Sequence, residues 1–268
     1  MTIITVSRGS YSKGKEIAEK VSERLGYRCL SREDLIREVS RRYQVPEVKL
    51  KRAIHDAPTL LDRIGYRKEI YIAYIEATLL KHFQKGNVVY HGLAGHFFVQ
   101  GVDHALKIRI LADINDRVRW KMEREGLPEQ EARRSLEKDD DQRRKWSRFL
   151  YGIDSWDSTN YDAIFHLRRN AVDYAVDFIY HNAKLPLYQT TPESQQRIND
   201  LTLAAVVKAA LIKSNPNITV GAENGVIFVQ TASDITQEEK VARKLKEKAE
   251  QVPDVKEARI KIDPTNIG

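Results

Sequence analysis

Gly9-Ser10-Tyr11-Ser12-Lys13-Gly14-Lys15 fits the pattern G-x-x-x-x-G-K and stands between a strand-like run and a helix-like one. Upstream, Thr2 to Val6 is short and β-branched. Downstream, Gly14 to Leu25 carries Ile17, Ala18, Val21 and Leu25 on one helical stripe. Glycine in such a loop lets the backbone bend so that several N–H groups face one anion, and the helix N-terminus adds the positive end of its dipole. Gly9, Ser10, Tyr11, Ser12, Lys13, Gly14, Lys15 and Glu16 are therefore the expected nucleotide-phosphate contacts, with Lys15 reaching the β- and γ-phosphates. One position departs from the pattern. The Ser or Thr that would follow the lysine and hold Mg²⁺ is Glu16, and Ile17 after it has no hydroxyl either. Phosphate binding is thus better supported than phosphoryl transfer, which depends on metal positioning.

Outward from this loop, strands alternate with helices. Strands are expected at Tyr27 to Leu30, Val88 to Tyr90, Leu106 to Leu111 and Tyr161 to Leu167. Helices are expected over Arg32 to Tyr43, Pro46 to His55, Arg67 to Gln84, Asn115 to Glu125, Pro128 to Tyr151 and Ala171 to His181. Ser31 with Asp34 three residues on reads as a helix N-terminal cap. The alternation predicts an α/β fold, with parallel βαβ units and ligands beyond the carboxyl ends of the strands. The loops after Val6, Leu30, Tyr90, Leu111 and Leu167 therefore enclose the expected site.

Residues 183–192 change character. Pro186, Thr190, Thr191 and Pro192 interrupt both periodicities, and a linker is expected there between domains 1–182 and 193–268. Beyond it the order is a helix at Glu193 to Lys213, strands at Thr219 to Ala222 and Val226 to Thr231, a helix at Thr236 to Gln251 and a strand at Val255 to Ile262. Asn224-Gly225 between two β-rich runs is a strong hairpin signal.

The chain of 268 residues carries a net charge of +7, which suits anionic partners such as nucleotides, nucleic acid or acidic lipid without choosing among them. No apolar run approaches a membrane span, so no span is expected. The single cysteine, Cys29, forms no internal disulfide and fits a cytoplasmic protein with a buried thiol.

Several segments together resemble the cytidylate kinase-like branch of the P-loop nucleoside monophosphate kinases. The resemblance rests on Ile4-Thr5-Val6-Ser7-Arg8 with Gly14-Lys15-Glu16-Ile17-Ala18-Glu19-Lys20, on Gly26-Tyr27 and Ser31-Arg32-Glu33, and on Asn87-Val88-Val89-Tyr90-His91-Gly92. Asp141 to Arg148, Tyr151-Gly152-Ile153-Asp154-Ser155-Trp156-Asp157 and Tyr161-Asp162 complete it, over roughly residues 2 to 182. It implies a five-stranded parallel sheet with flanking helices and transfer of phosphate from ATP, with Mg²⁺, to a pyrimidine monophosphate. It further implies that Arg117, Lys121, Arg143, Arg144 and Arg148 belong to a mobile lid that clamps phosphates, Arg143, Arg144 and Arg148 acting with Lys15 in catalysis. The physics agrees, since guanidinium groups bond phosphate bidentately and stabilise its developing charge. Arg37 and Arg41, one turn apart on a helix, and Gly92 are the expected acceptor contacts. Asp157 and Asp162 are candidates for positioning a metal or the acceptor, and His91 and His96 for contacting a ligand, without the pattern of a metal site. Trp120, Trp146 and Trp156 are expected to pack. Residues 193–268 resemble a BON domain in their α-β-β-α-β order, with Pro253-Asp254-Val255 where that family has Pro-Gly-Val. This implies a ligand or protein partner for the module; self-association of the chain stays open.

Three functions compete: an active nucleotide kinase, a nucleotide-sensing protein that kept the loop and lost turnover, and a basic scaffold for nucleic acid. The last ranks lowest, because no interleaving of aromatic and basic residues is visible.

Overall fold

The computed structural model describes residues 1–55, 67–92, 94–168, 171–234 and 238–265. Five strands form a parallel sheet: β1 (Ile3–Arg8), β2 (Arg28–Ser31), β3 (Val88–His91), β4 (Ala105–Ala112) and β5 (Ala163–Leu167), in the order β2-β3-β1-β4-β5. β1 is central, and its alternate side chains face two cores, as burial on both faces of a parallel sheet requires. Ile3 joins Leu30, Leu35, Leu79, Phe83 and Trp146 on one face. Ile4 and Val6 join Ile17, Val21, Ile108, Ile110 and Ile179 on the other.

The helices are α1 (Gly14–Leu25), α2 (Arg32–Tyr43), α3 (Glu47–His55), α4 (Arg67–Gln84), the short α5 (Gly95–Phe98), α6 (Ile114–Glu125), α7 (Glu129–Tyr151) and α8 (Val172–Asn182). Their starts are set by local chemistry. The Ser31 side chain accepts the Asp34 N–H while Asp34 returns a bond to the Ser31 N–H, a full capping box that fixes α2 directly after β2. Gly26 ends α1 at φ 66°, a left-handed position that lets the chain turn straight into β2. The expected strands and helices match these within one or two residues. α5 was not expected, because four residues carry no periodicity to read.

α6 and α7 form a hairpin whose small core is Val118, Ala132 and Leu136, with Tyr11 of the phosphate loop packed against it. Trp146 is 1% exposed, and its Nε1–H donates to the Ala53 carbonyl at 2.7 Å, pinning the far end of α7 to α3. Trp156 departs from the expectation of packing: it is 56% exposed, because it lies on the turn after α7 rather than on a buried helix face.

In the C-terminal part, α9 (Pro192–Leu211), β6 (Thr219–Glu223), β7 (Val226–Asp234), α10 (Glu238–Glu250) and β8 (Glu257–Thr265) follow the expected order. β6 pairs antiparallel and β8 parallel with β7. The expected start of α10 at Thr236 falls outside the described residues. Asn224 and Gly225 take φ 51° and 89°, the pair of positive values a tight hairpin turn needs. α9 is buried on two sides. Ile198, Ala205 and Ala209 enter the core of the large sheet, and Val207 and Leu211 the core of the small one. Residues 183–192 hold a short 3₁₀ turn, Pro186–Tyr188, and the Thr2 hydroxyl is within hydrogen-bond reach of the Ala183 and Tyr188 carbonyls at 3.0 and 2.9 Å. Among the described residues no helix is long and apolar enough to cross a membrane.

Candidate active site at the carboxyl end of the sheet

The phosphate loop leaves β1 at Arg8 and enters α1 at Gly14. Tyr11 and Lys13 occupy the left-handed region at φ 58° and 59°, whereas Gly9 and Gly14 do not have positive φ. The expected role of the glycines therefore changes: they supply space, not unusual dihedrals. A Cβ on Gly14 would stand 2.6 Å from the Arg8 Cβ, and one on Gly9 would stand 3.4 Å from the Arg117 guanidinium carbon. Left-handed residues alternating with others turn neighbouring N–H groups toward one side, the geometry of an anion nest.

Two helices bring cations to this loop. The Arg117 Nε–H donates to the Ser10 carbonyl at 2.8 Å, and its two terminal nitrogens grip Asp140 at 2.7 and 3.0 Å. Arg143 donates to the Arg8 carbonyl at 2.8 Å and to the Ser10 hydroxyl at 2.7 Å; that hydroxyl donates onward to Asp139 at 3.0 Å. Burial lowers the Arg143 pKa to about 10, and Asp139 partly opposes that effect. Arg8 is likewise held below its ordinary value by burial and then by Arg32.

Lys15 reaches outward at the mouth of the loop, 3.7 Å from Glu19 and well exposed. The Lys13 ammonium lies over the Trp120 ring, and Lys121 pairs with Glu125 at 3.2 Å. A cavity of about 1090 Å³ joins the loop to α2, with Lys13, Lys15, Arg32, Arg37, Lys121 and Arg143 among its lining residues. Arg37 is tied to Asp34 at 2.9 Å at its rim. Arg41 is exposed and does not line it. Gly92 makes room for its neighbours, since a Cβ there would meet the Tyr90 hydroxyl at 2.4 Å and the Arg32 Cβ at 3.0 Å.

Other expected residues are not brought to the loop. Arg144 and Arg148 both bind Asp154, at 2.9 and 2.6 Å, and Arg144 also stacks on Trp156. Asp157 caps the 3₁₀ turn Ser158–Asn160 through the Thr159 N–H, and Asp162 accepts the Lys107 N–H. Cys29 is half-buried, and burial raises its thiol pKa.

ATP-dependent phosphoryl transfer normally uses Mg²⁺, held by oxygen ligands. Here Glu16 stands 3.5 Å from Lys20, the Ser12 hydroxyl is spent on the Gly9 carbonyl and the Ser10 hydroxyl on Asp139. Among the described residues no three carboxylates, histidines or cysteines group as metal ligands. These side chains do not fit a metal held by protein alone.

The sequence reading missed Arg8, Arg109, Asp139 and Asp140. Arg8 and Arg109 sit on strands, where only the sheet register shows which face they take. The two aspartates are separated from their partners, Ser10 and Arg117, by 129 and 23 residues.

A family model for the cytidylate kinase-like family matches residues 3–169. The chain belongs to the cytidylate kinase-like family. Solved structures resemble part of the chain. An uncharacterized protein from Eubacterium ventriosum ATCC 27560 is 23% identical, with a TM-score of 0.51 over 68% of this chain and 97% of that one. TT1252 from Thermus thermophilus is 17% identical, with a TM-score of 0.40 over 69% and 98%. A shikimate kinase from Bacteroides thetaiotaomicron is 12% identical, with a TM-score of 0.41 over 69% and 99%. A search of curated proteins gave no match.

For a cytidylate kinase-like chain, the histidines at this end of the sheet carry a pH signature. Burial lowers the pKa of His91 to about 4 and of His96 to about 3, and neither Nδ1 has a hydrogen-bond partner among the described residues. The unfolded chain binds protons near pH 6.5 and the folded chain does not. Stability from these histidines is therefore complete above about pH 6.5 and is lost as pH falls toward 4 and then 3. Urea denaturation across this window is expected to show a slope approaching about 1.4 kcal/mol per pH unit per histidine. A His91→Gln variant should lose about one histidine's share; an unchanged slope would deny that His91 is buried neutral.

Proposed function

We propose that the protein is a nucleotide kinase that binds ATP at residues 9–16 and transfers its γ-phosphoryl group to a nucleoside monophosphate, cytidylate by family resemblance. The observation that carries this reading is the convergence of Arg117 and Arg143 on Ser10 in the phosphate loop before α1. The amides of the loop and the α1 N-terminus hold the anionic tail, and Lys15 closes over it from the mouth. An oxygen of the acceptor phosphate bonds to the γ-phosphorus as the bond to the β–γ bridging oxygen breaks, and ADP leaves with that electron pair. The two guanidinium groups face the charge on the transferring oxygens. Mg²⁺, when carried in by ATP, would supply further charge neutralisation. Arg117 must exchange Asp140 for phosphate, so occupation is coupled to a rearrangement between α6 and α7. Arg144 and Arg148 reach the substrate only if their shared Asp154 is released, which fits a lid.

A second reading has its own observation. Glu16 stands at the expected metal hydroxyl, and Asp139 and Asp140 already occupy the polar groups of the clamp. A nucleotide sensor without turnover is consistent with both. The C-terminal α-β-β-α-β module, read as BON-like, would then respond to a ligand or partner. A coupled assay with ATP and each of the four ribonucleoside monophosphates separates the readings. The kinase reading expects ADP release with at least one of them. In Lys15→Ala, ATP affinity by calorimetry should fall about 10- to 100-fold, the worth of one charge-assisted contact. ATP binding with no turnover on any monophosphate would leave the sensor.

A further inference from the structure

β5 is an end strand of the large sheet, and among the described residues no strand pairs with its outer side. A row of open N–H and C=O groups invites another strand, and proteins commonly guard such edges with charge, proline or shortness. The other edges in this chain are guarded. β2 has four residues and opens with Arg28, β6 holds Gly221 and Glu223, and β8 holds Arg259, Lys261 and Pro264. β5 reads Ala163-Ile164-Phe165-His166-Leu167, with no acid, lysine, arginine or proline.

The flank of this edge is apolar as well. Alternation puts Phe165 on the side of α1 and α8, and Ile164, 39% exposed, on the opposite face. The Phe165 ring meets Tyr174 and Phe178 edge-on, with centroids 6.4 and 5.2 Å away. These two lie one turn apart on α8, and Tyr174 is 68% exposed. The acids of the same helix leave the ridge clear, because Asp173 pairs with Lys20 and Asp177 with Arg24, both on α1. Stable interfaces bury about 1,200–2,000 Å² and are apolar at their centre, which such a ridge beside a strand supplies.

The edge is also complementary to itself. Along a strand the N–H and C=O groups alternate in direction from residue to residue. Two antiparallel copies therefore match outward groups to outward groups only when the two-fold axis passes through a residue. With the axis through Phe165, residues 162–168 overlap completely. Asp162 then stands opposite the partner's Arg168, Ala163 opposite the partner's Leu167, and Ile164 opposite the partner's His166. Symmetry repeats the acid–base pair, so both ends of the apolar run are closed by opposite charges, which stabilise a cross-strand pair. An axis through Ile164 would set Asp162 against the partner's His166, and one through His166 would set Arg168 against the partner's Ile164. Asp162 is already fixed in place: it accepts the Lys107 N–H at 2.6 Å, with the Lys107 ammonium 3.7 Å away.

We propose that β5 pairs antiparallel with β5 of a second copy of this chain about an axis through Phe165. The two large sheets become one, and Tyr174 and Phe178 of the two α8 helices pack across the axis. The proposal does not depend on the kinase reading.

Sedimentation equilibrium over a concentration series tests it, using wild type, Ile164→Lys, Tyr174→Lys, Arg168→Asp and Asp162→Arg. Wild type should dimerise as concentration rises. Ile164→Lys adds the guard charge that the other edges carry and should stay monomeric throughout. Tyr174→Lys should weaken the dimer without touching the strand. Arg168→Asp and Asp162→Arg should each weaken it about tenfold or more, because both symmetric pairs become like-charged. Mixed in equal amounts, these last two should recover a dimer, since every contact between them again joins an acid to a base. Circular dichroism and thermal melting of each diluted variant separate lost association from lost fold. Phe165→Cys reports the register: its two thiols face each other across the axis at a span that a disulfide bridges, so mild oxidation should give a covalent dimer. Wild type, whose Cys29 lies on β2, should give none. A monomeric wild type overturns the proposal, as does a folded Ile164→Lys that dimerises like wild type, or a Phe165→Cys that forms no covalent dimer.

Discussion

Arg143→Ala is expected to lower turnover about 10²- to 10³-fold, the usual loss when one preorganised donor to a transferring oxygen is removed. Arg143 holds the loop through the Arg8 carbonyl and the Ser10 hydroxyl, yet among the described residues no carboxylate anchors it within ion-pair distance. Its guanidinium is therefore positioned without being neutralised. Such a group can turn toward phosphate without first breaking an ion pair, unlike Arg117, which must leave Asp140. The effect should fall on kcat more than on KM for ATP, because the charge it meets is greatest in the transition state. Arg143→Lys should recover only part of the loss, since an ammonium keeps the charge but not the fork that spans two acceptors. Steady-state kinetics on the three proteins decide it. A kcat unchanged in Arg143→Ala would place the residue outside the reaction.

The second large effect is expected at Gly14. A Cβ there would stand 2.6 Å from the Arg8 Cβ and 2.9 Å from its Cδ. The obstruction is the root of a side chain, not a flexible tip, so either the first turn of α1 or the end of β1 must move. Overpacking of this kind costs about 1–3 kcal/mol. The displaced parts are the two ends of the phosphate loop, so binding should suffer along with stability. Gly14→Ala is expected to weaken ATP at least tenfold and to lower the midpoint of urea denaturation. Gly9→Ala serves as the comparison, because its nearest contact, at 3.4 Å, is the mobile end of Arg117. If both variants bind ATP as the wild type does, the loop does not shape the site.

Much of this architecture was legible in the residues themselves. The stripe Ile17, Ala18, Val21 gave α1, Ser31 with Asp34 gave the start of α2, and Asn224-Gly225 gave the hairpin, because each signal acts within a few residues. The site was legible only where it is local. The loop could be read from its spacing, but the partners of its cations could not. Whether Arg144 meets phosphate or Asp154, and whether Arg117 meets Asp140, depends on how α6 and α7 lie against one another. The same holds for Arg8 and Arg109: along a strand the two faces alternate, and only the assembled sheet tells which face opens onto a cavity. The role given to the loop glycines shifted for a related reason. Tyr11 and Lys13 carry the positive dihedrals, and crowding from Arg8, a tertiary contact, explains the glycine at position 14.

α9 gives its alanine side to one sheet and its valine and leucine side to the other. Neither half therefore owns a complete interior. Whatever loosens the small sheet therefore acts on a helix that also lies against α4 in the interior of the large one.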